Sequence, residues 1–226
     1  MKKTFWLIFF FLNLAAHLSG IYFAIDVLQV ITKPLIVIFL VGYFLTALKT
    51  QTDPVKKWIL AALFFSWAGD ILLIFQPTSE KFFLAGLVSF LFAHIFYIIF
   101  FHIIRIRENI KSKWLLLLIV VIYYGSMISF LSPYLNNLKL PVRIYGAFIS
   151  FMFMLAMYML FIKNKSAGRW IMTGALLFLI SDSVLAINKF YLSFEWSGII
   201  IMLTYGLAQL FIALGAIDYV RKNNSI

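Results

Sequence analysis

Residues 82–104 of the chain, FFLAGLVSFLFAHIFYIIFFHII, contain no Asp, Glu, Lys or Arg. An α-helix rises about 1.5 Å per residue, so about 20 apolar residues are enough to cross the hydrocarbon core of a bilayer. Outward from this stretch, polar breaks recur at nearly the same interval along all 226 residues. The pattern predicts eight membrane-spanning helices joined by short connections, at residues 4–24, 31–48, 57–75, 82–104, 114–131, 143–162, 170–188 and 197–219.

The composition indicates that lipid is the solvent for the whole chain. Hydrophobic residues make up 64% of it, charged residues make up 12%, and the mean hydropathy is +1.02. Soluble domains are roughly 45–50% apolar and about 25% charged, so a water-soluble fold of this size could not cover so much apolar surface. Because lipid pairs no backbone polar groups, helices are the element that this composition allows. We therefore predict an all-α polytopic membrane bundle, formed by a single domain at residues 1–226.

The 19 basic residues are divided unevenly between the two ends of the predicted bundle. Short loops that are rich in Lys and Arg stay in the cytoplasm. One end carries 14 basic residues and the other carries five, namely Lys33, Lys81, Lys139, Arg143 and Lys189. This division predicts that both termini are cytoplasmic, and it supports an even number of spans. The Met-Lys-Lys start and the low acidic content favour a bacterial inner (cytoplasmic) membrane.

The chain has no cysteine, which excludes disulfides, thiol catalysis and metal sites built from thiolates. A net charge of +11 would suggest nucleic acid in a soluble protein. Here the excess lies in short loops, where it fixes orientation, so we expect no nucleic-acid partner. The partner that we expect is bilayer lipid. The sequence predicts no cofactor and no metal, and it leaves the oligomeric state open.

Two aspartates lie inside predicted spans, where a charged group is unfavourable. Asp70 is in the third helix and Asp182 is in the seventh. Each costs about 2.5–3.5 kcal/mol at a helix centre on insertion scales. Counted from Gln76 and Lys189, both carboxylates are expected about 9–11 Å inside the end that faces away from the cytoplasm. A buried residue that holds helices together is one interpretation, but two carboxylates at one depth favour a functional site.

Other polar side chains in the spans have two interpretations each. Lys33 precedes Pro34 at the expected start of the second helix, so it could extend to the interface or pair with a carboxylate or a lipid phosphate. His94, near the middle of the fourth helix, could be a packing residue with a hydrogen bond or part of a site. Residues four apart share a helix face. Such pairs are Asn13 with His17 and Tyr205 with Gln209. Asn188 and Tyr145 lie in the outer halves of their spans, where tyrosine is common at the membrane interface.

Several of these residues also carry a resemblance. In chain order the segments are Lys33-Pro34-Leu35, Gly69-Asp70, Gly86 with Phe90, His94 and Tyr97, Gly174-Ala175 with Phe178, Ser181 and Asp182, and Tyr205 with Ala208 and Gln209. In their order, spacing and helix positions, these segments resemble the YhhN family of membrane proteins. That family's eukaryotic members include the lysoplasmalogenases. The resemblance extends from about residue 30 to about residue 215.

The resemblance implies hydrolysis of the vinyl ether bond of a lysoplasmalogen, a single-chain lysophospholipid, to a fatty aldehyde and a glycerophospho-amine. It also implies that Asp70 and Asp182 are the catalytic carboxylates, because this reaction needs a general acid for carbon and a general base for water. Which aspartate takes which role stays open. A single-chain lipid would enter from the outer leaflet. The expected substrate-binding or supporting residues are Lys33, His94, Tyr205, Gln209, Ser181 and Asn188.

Three other functions remain alternatives at this point. Asp, Lys and His inside a membrane also form proton relays, so a proton-coupled transporter of lipids or small molecules is one. A metal-dependent hydrolase that uses His17, His94, Asp70 and Asp182 is the second, although no short His spacing supports it. The third is a lipid-binding scaffold without catalysis. No inverted repeat or matched pair of broken helices favours the transporter.

Overall fold

The computed structural model describes residues 3–223 and contains no strand within them. Eight helices in that range are long and apolar enough to cross a membrane. The predicted all-α bundle with eight spans is therefore confirmed. The helices are α1 (Lys3–Tyr22), α2 (Asp26–Ala47), α3 (Lys56–Ile74), α4 (Glu80–Arg107), α5 (Trp114–Leu131), α6 (Lys139–Tyr158), α7 (Lys165–Phe190) and α8 (Ser197–Asn223).

Large apolar side chains cover the outside of the bundle. Leu12 is 62% exposed and Val27 is 70% exposed, as expected of residues that face acyl chains rather than water. The protein is an integral membrane protein. We call the end that holds Lys49, Arg107 and Lys163 the basic end, and the other the opposite end. Met1 and Lys2, which belong to the predicted basic end, lie outside the described residues.

Several helices extend beyond the apolar windows that the sequence defines. Helix α7 begins at Lys165 rather than at residue 170, and Asn164 caps it by accepting a hydrogen bond of 3.3 Å from the Ala167 N–H. Helix α2 begins at Asp26 rather than at residue 31. An apolar window locates the hydrocarbon core, whereas a helix can continue into the polar interface wherever its end is capped or exposed to water.

The early start of α2 corrects the expected position of Lys33. Lys33 lies seven residues after Asp26, so it is within the span and not at a helix start. Pro34 misled the sequence interpretation because proline favours the first helical turn. In a membrane bundle, neighbouring helices and local adjustments tolerate a proline inside a helix. Lys33 is half-buried and belongs to the interior of the bundle.

Helix α8 is the central element of the bundle. It packs against α7, α1, α2 and α3, while α4 packs against α3 and α6. Helix α5 lies at the periphery, since Val120 and Leu131 are its only buried side chains. The polar side chains of α3 and α7 can therefore meet those of α8 inside the bundle, and those of α6 can meet those of α4 and α7.

Glycines allow the closest helix contacts. A Cβ atom on Gly174 of α7 would lie 2.8 Å from the Ala208 carbonyl oxygen and 2.7 Å from the Ile212 nitrogen, both in the backbone of α8. A Cβ atom on Gly86 of α4 would lie 2.8 Å from Cδ2 of Leu73 in α3. Small residues let helix backbones approach in lipid. These glycines bring α7 against α8 and α4 against α3.

An ion pair connects two elements at the basic end. Asp53, in the connection between α2 and α3, receives a hydrogen bond of 2.7 Å from Nη1 of Arg107 and one of 3.0 Å from the Val55 N–H. Burial by itself would raise the pKa of Asp53. The Arg107 and Val55 hydrogen bonds and the charges of Arg107 and Lys56 outweigh burial, so the pKa of Asp53 is below its ordinary value.

Candidate active site

Asp70 is a buried carboxylate in α3, with 2% of the residue exposed. The hydroxyl of Tyr205 in α8 donates a hydrogen bond of 2.6 Å to its Oδ2. Its Oδ1 has no hydrogen-bond partner within residues 3–223. Edge-to-face contacts with Phe90 and Phe178, at centroid distances of 5.8 and 5.6 Å, hold the Tyr205 ring. Tyr205 therefore orients one oxygen of the carboxylate, and the other has no bonded partner among the described residues.

A second polar layer lies one helical turn from this pair. Ser66 and Asp70 are four residues apart on α3, as Tyr205 and Gln209 are on α8, so the two pairs stack. Nε2 of Gln209 donates a hydrogen bond of 2.9 Å to Oγ of Ser66, and its Oε1 accepts one from the Tyr97 hydroxyl of α4. All of these side chains are buried. Together they fix the rotation of α8 against α3 and so the position of Tyr205.

Asp182 belongs to a different hydrogen-bonded group. The hydroxyl of Tyr145 in α6 donates a hydrogen bond to its Oδ2. Nε2 of His94 in α4 lies 2.9 Å from the Tyr145 hydroxyl and 3.4 Å from the same carboxylate oxygen. Because the hydroxyl has one proton and gives it to Asp182, its oxygen accepts from His94, which places a proton on Nε2. Nδ1 of His94 is buried without a partner among the described residues.

The ring of Phe178 packs against both groups. Its centroid lies 5.0 Å from that of His94 and 5.6 Å from that of Tyr205. Within residues 3–223, no hydrogen bond or ion pair joins Asp70 to Asp182. The structure thus places each predicted aspartate beside predicted supporting residues, but it does not pair the two carboxylates directly.

The helix ends also refine the depth expected for the two carboxylates. Helix α3 ends four residues after Asp70, and α7 ends eight residues after Asp182. Those intervals correspond to about 6 Å and about 12 Å along the helix axes. Both carboxylates therefore lie in the half of the bundle nearer the opposite end, and Asp182 is the farther of the two from the end of its own helix.

A cavity of about 480 Å³ opens near Asp70 at the opposite end of the bundle. Leu73 and Ile74 line it, and they are three and four residues beyond Asp70 on the same helix. Ile201 and Met202 line it from α8, within one turn of Tyr205. Its volume is within the range of small-molecule sites, and its walls are mostly apolar. The Asp70–Tyr205 pair therefore lies next to a space that could hold part of a lipid.

Lys33 also lines this cavity. It lies within electrostatic range of Asp70 and of His17. Its ammonium group makes no hydrogen bond within residues 3–223. A cation that lines a cavity without a bonded partner can bind an anionic group of a ligand, such as a phosphate.

Two predicted supporting residues have structural partners. The Ser181 hydroxyl donates a hydrogen bond of 3.0 Å to the Ile201 carbonyl and so joins α7 to α8. Oδ1 of Asn188 accepts one of 3.3 Å from the Phe194 N–H in the following loop. Asn188 also lines the cavity, whereas Ser181 does not. Neither side chain contacts Asp70 or Asp182 through a hydrogen bond.

Tyr145 is the residue whose role the sequence interpretation missed. Tyrosine in an outer half of a span is typical of the membrane interface, and that composition hid it. The structure turns its hydroxyl inward to Asp182 and His94. Ser66 and Tyr97 were also absent from the predicted site residues, although Tyr97 is one of the residues that carry the resemblance. The four-residue spacing of Ser66 from Asp70, which mirrors that of Tyr205 and Gln209, is the signal that could have found Ser66.

The residues considered as metal ligands lie in separate places. Nδ1 of His17 is 2.8 Å from the Thr32 hydroxyl, and Asn13 bonds the Thr32 carbonyl, so these two residues join α1 to α2. His94 contacts Asp182, and Asp70 contacts neither histidine. In the part of the chain that the structure describes, no group of three or more His, Asp or Glu side chains could hold a metal ion.

Comparisons with known proteins identify a family and several relatives. A family model described as the YhhN family matches residues 28–216. Lysoplasmalogenase TMEM86A of Bos taurus is 34% identical over 174 residues, which cover 74% of this chain and 68% of that protein. Lysoplasmalogenase TMEM86A of Homo sapiens is 33% identical over 172 residues, which cover 73% of this chain and 67% of that protein. A lysoplasmalogenase of Mycobacterium bovis is 27% identical over 163 residues, which cover 71% of this chain and 60% of that protein. No solved structure matches the chain.

Proposed function

Because the chain belongs to the YhhN family, we propose that it hydrolyses the vinyl ether bond of a single-chain lysoplasmalogen. The products are a fatty aldehyde and a glycerophospho-amine. One observation connects this reaction with the chain's own residues. Asp70 is buried, is held by Tyr205, and lies beside a cavity that Lys33 also lines.

The reaction needs one proton donor and one proton acceptor. Protonation of the vinyl carbon remote from oxygen gives an oxocarbenium ion, and water then adds to the carbon that is bonded to oxygen. Loss of one proton from the added water leaves a hemiacetal. The hemiacetal hydroxyl then gives up its proton as the bond to the glycerol oxygen breaks, and that oxygen takes up a proton, which gives the aldehyde and a free glycerol hydroxyl. Carboxylic groups can perform each of these transfers.

In this proposal Asp70 is the general acid. Tyr205 holds its Oδ2, so the unpartnered Oδ1 is the atom that carries the proton to carbon. Once it has given up the proton, the carboxylate stabilises the positive charge of the oxocarbenium ion at short range. The rings of Phe90 and Phe178 pack against Tyr205 and would exclude water from that side of the carboxylate, which keeps the proton from being lost before the carbon is in place.

Asp182 is assigned to the activation of water. Tyr145 and His94 hold its Oδ2, while its Oδ1 has no partner in residues 3–223, and its side chain is 13% exposed. Leu185, three residues beyond Asp182 on α7, lines the cavity. The two carboxylates have different surroundings, and such a difference commonly decides which member of an acid–base pair is the acid and which is the base.

Lys33 is assigned to the substrate phosphate. Its ammonium group lines the cavity and has no hydrogen-bonded partner among the described residues, so a phosphate there would gain a charge-assisted hydrogen bond. The glycerol unit would then lie between Lys33 and Asp70, with the aliphatic chain directed toward the lipid side of the bundle. Because the cavity is at the opposite end, substrate would enter from the leaflet at that end.

The direct test is incubation of purified protein, in detergent or nanodiscs, with a lysoplasmalogen. Wild type is expected to release aldehyde, and the variant with both Asp70→Asn and Asp182→Asn is expected to be at least about 1,000-fold slower. Asp218→Asn, in α8 at the basic end, is the matched control and should behave like wild type. If wild type releases no aldehyde, or the double variant equals it, the proposal fails.

We also propose that the reaction is independent of metal. The described residues offer no cluster of metal-binding side chains, and two carboxylates suffice for the proton transfers. Activity should persist unchanged after dialysis against a strong chelator. Loss of activity on chelation, restored by a divalent ion, would contradict this part of the proposal.

The orientation is proposed as well, with the basic end in the cytoplasm of a bacterial cell and the chain in its inner membrane. The distribution of basic residues supports it. Since the natural chain has no cysteine, single cysteines can report on each end. A cysteine at Glu195 should react with an impermeant maleimide added to spheroplasts, whereas one at Lys111 should react only after lysis. The reverse result would invert the orientation.

A further inference from the structure

The cavity beside Asp70 has an acidic side chain at its rim. Asp26, Gln29 and Lys33 all line it, and they follow one another along α2 with intervals of three and four residues. That spacing puts the three side chains on one face of the helix. Asp26 is exposed in the first turn of α2, whereas Lys33 is half-buried two turns deeper.

Asp26 and Lys33 are the two charged side chains among the described residues that line this cavity. They have opposite signs and are separated by about 10 Å along the helix axis, with the neutral Gln29 between them. A phosphoethanolamine unit with an ion-pair contact at each end has a similar length. An anionic head group without an amine would meet the Lys33 charge but would be repelled by that of Asp26.

We propose that Asp26 selects substrates with a zwitterionic phospho-amine head group by binding the ammonium group while Lys33 binds the phosphate. This inference rests on the proposed function, because it assigns the head-group end of the same site. Asp26 lies before residue 28, where the family match begins, so the match carries no information on it. The argument stands on the cavity and on the order of charges along α2.

Asp26 also has an ordinary structural interpretation. An acidic residue in the first turn of a helix stabilises the positive end of the helix dipole, typically by about 0.3–1 kcal/mol. Glu80 provides the matched control, because it is exposed in the first turn of α4 and does not line the cavity. A dipole effect would change stability in both variants, whereas head-group binding predicts a change in ligand preference for Asp26→Asn alone.

The experiment measures binding of saturated 1-O-alkyl lysolipids to the purified protein in nanodiscs by calorimetry. These lipids lack the vinyl double bond, so they report on binding without the reaction. Wild type should bind alkyl lysophosphoethanolamine about 10-fold more tightly than alkyl lysophosphatidylglycerol of the same chain length. Asp26→Asn should reduce this ratio to near one, and Asp26→Glu and Glu80→Gln should retain it.

The outcomes separate the two proposals. If wild type shows no preference, binds neither lipid, or keeps its preference in Asp26→Asn, the head-group inference is overturned. If wild type releases aldehyde from a lysoplasmalogen under those results, the proposed function still stands. Conversely, a preference that depends on Asp26, in a protein that releases no aldehyde, keeps the inference and overturns the reaction.

Discussion

The two carboxylate groups of the bundle are built alike but are surrounded differently. Each carboxylate accepts a hydrogen bond from a tyrosine on another helix, Tyr205 for Asp70 and Tyr145 for Asp182. Within residues 3–223 Asp70 has that single donor, and Leu73 and Ile74, on the next turn of its helix, line the cavity. Asp182 has His94 close to the same oxygen as its tyrosine. The difference teaches that one carboxylate is held by a single side chain close to the cavity walls, whereas the other is held by more of the protein.

The largest effect should come from Asp70 itself. Asp70→Asn removes the proposed proton donor to carbon, so kcat for aldehyde release should fall about 1,000-fold, within the range of general acid catalysis. In Asp182→Asn, kcat should fall less, by about 100-fold, because water can lose its proton to solvent more readily than carbon can gain one. Stopped assays for aldehyde on both variants, with folding checked by thermal unfolding, measure the difference. A larger loss in Asp182→Asn would reverse the assigned roles.

The next effect concerns the two tyrosines. Tyr205→Phe removes the hydrogen bond that Asp70 accepts from α8, and kcat should fall about 10- to 100-fold with little change in KM. Tyr145→Phe should cost only a few-fold, because His94 remains 3.4 Å from the Asp182 carboxylate. Steady-state kinetics on the two variants compare the sites directly. Equal losses would show that His94 does not substitute for the missing hydroxyl.

The double variant tests whether the two groups are independent. No hydrogen bond or ion pair joins them in residues 3–223, although Phe178 touches both. Distant sites add within about 0.3–0.5 kcal/mol, whereas coupled ones deviate by more. Tyr205→Phe with Tyr145→Phe should therefore show the product of the two separate fold-changes. A clear departure from that product would mean that Phe178 transmits coupling between the carboxylates.

The aspartates and their helices were accessible from the sequence, while their partners were not. An apolar segment of about 20 residues and a carboxylate inside it are local features of the sequence, so Asp70 and Asp182 could be identified as candidate site residues. Tyr205 and Gln209 were found because their four-residue spacing is also local. The meeting of Tyr145, His94 and Asp182 joins three helices, and it depends on how α6 is rotated against α4 and α7, which a single sequence does not specify.

Lys33 shows a different limit of sequence interpretation. Its neighbour Pro34 indicated a helix start, but α2 begins earlier, at Asp26, because its first turns continue into the polar interface. The resulting shift of five residues moves Lys33 from the interface into the bundle. The cavity that Lys33 lines could not be predicted either. Its walls come from α1, α2, α3, α7 and α8, and these helices come together only in the folded bundle.

A smaller effect should follow from separating the helices that carry the two groups. Gly174→Ala would place a Cβ atom 2.7 Å from the Ile212 nitrogen in α8. Such overpacking against backbone costs about 1–3 kcal/mol, so the unfolding temperature in detergent should fall. Gly125→Ala is the matched control, because nothing lies within 4 Å of its Cβ position. If the two variants unfold alike, the close contact of α7 and α8 is not required.

The smallest effect lies at the basic end, away from both carboxylate groups. Asp53→Asn removes the ion pair with Arg107 and should lower stability by about 1 kcal/mol, since Arg107 is partly exposed and solvent screens the pair. The pKa of Asp53 is below its ordinary value in the folded protein, so its contribution is complete above the unfolded pKa of 3.8 and is lost as pH falls through the lower folded pKa. Thermal unfolding from pH 6 downward should therefore show wild type converging on Asp53→Asn below about pH 4. At neutral pH, aldehyde release by this variant should equal that of wild type, because neither carboxylate group depends on the loop. If Asp53→Asn instead lost as much activity as Asp182→Asn, the ion pair at the basic end would be coupled to the site. The two carboxylate groups would then belong to one coupled network rather than being independent.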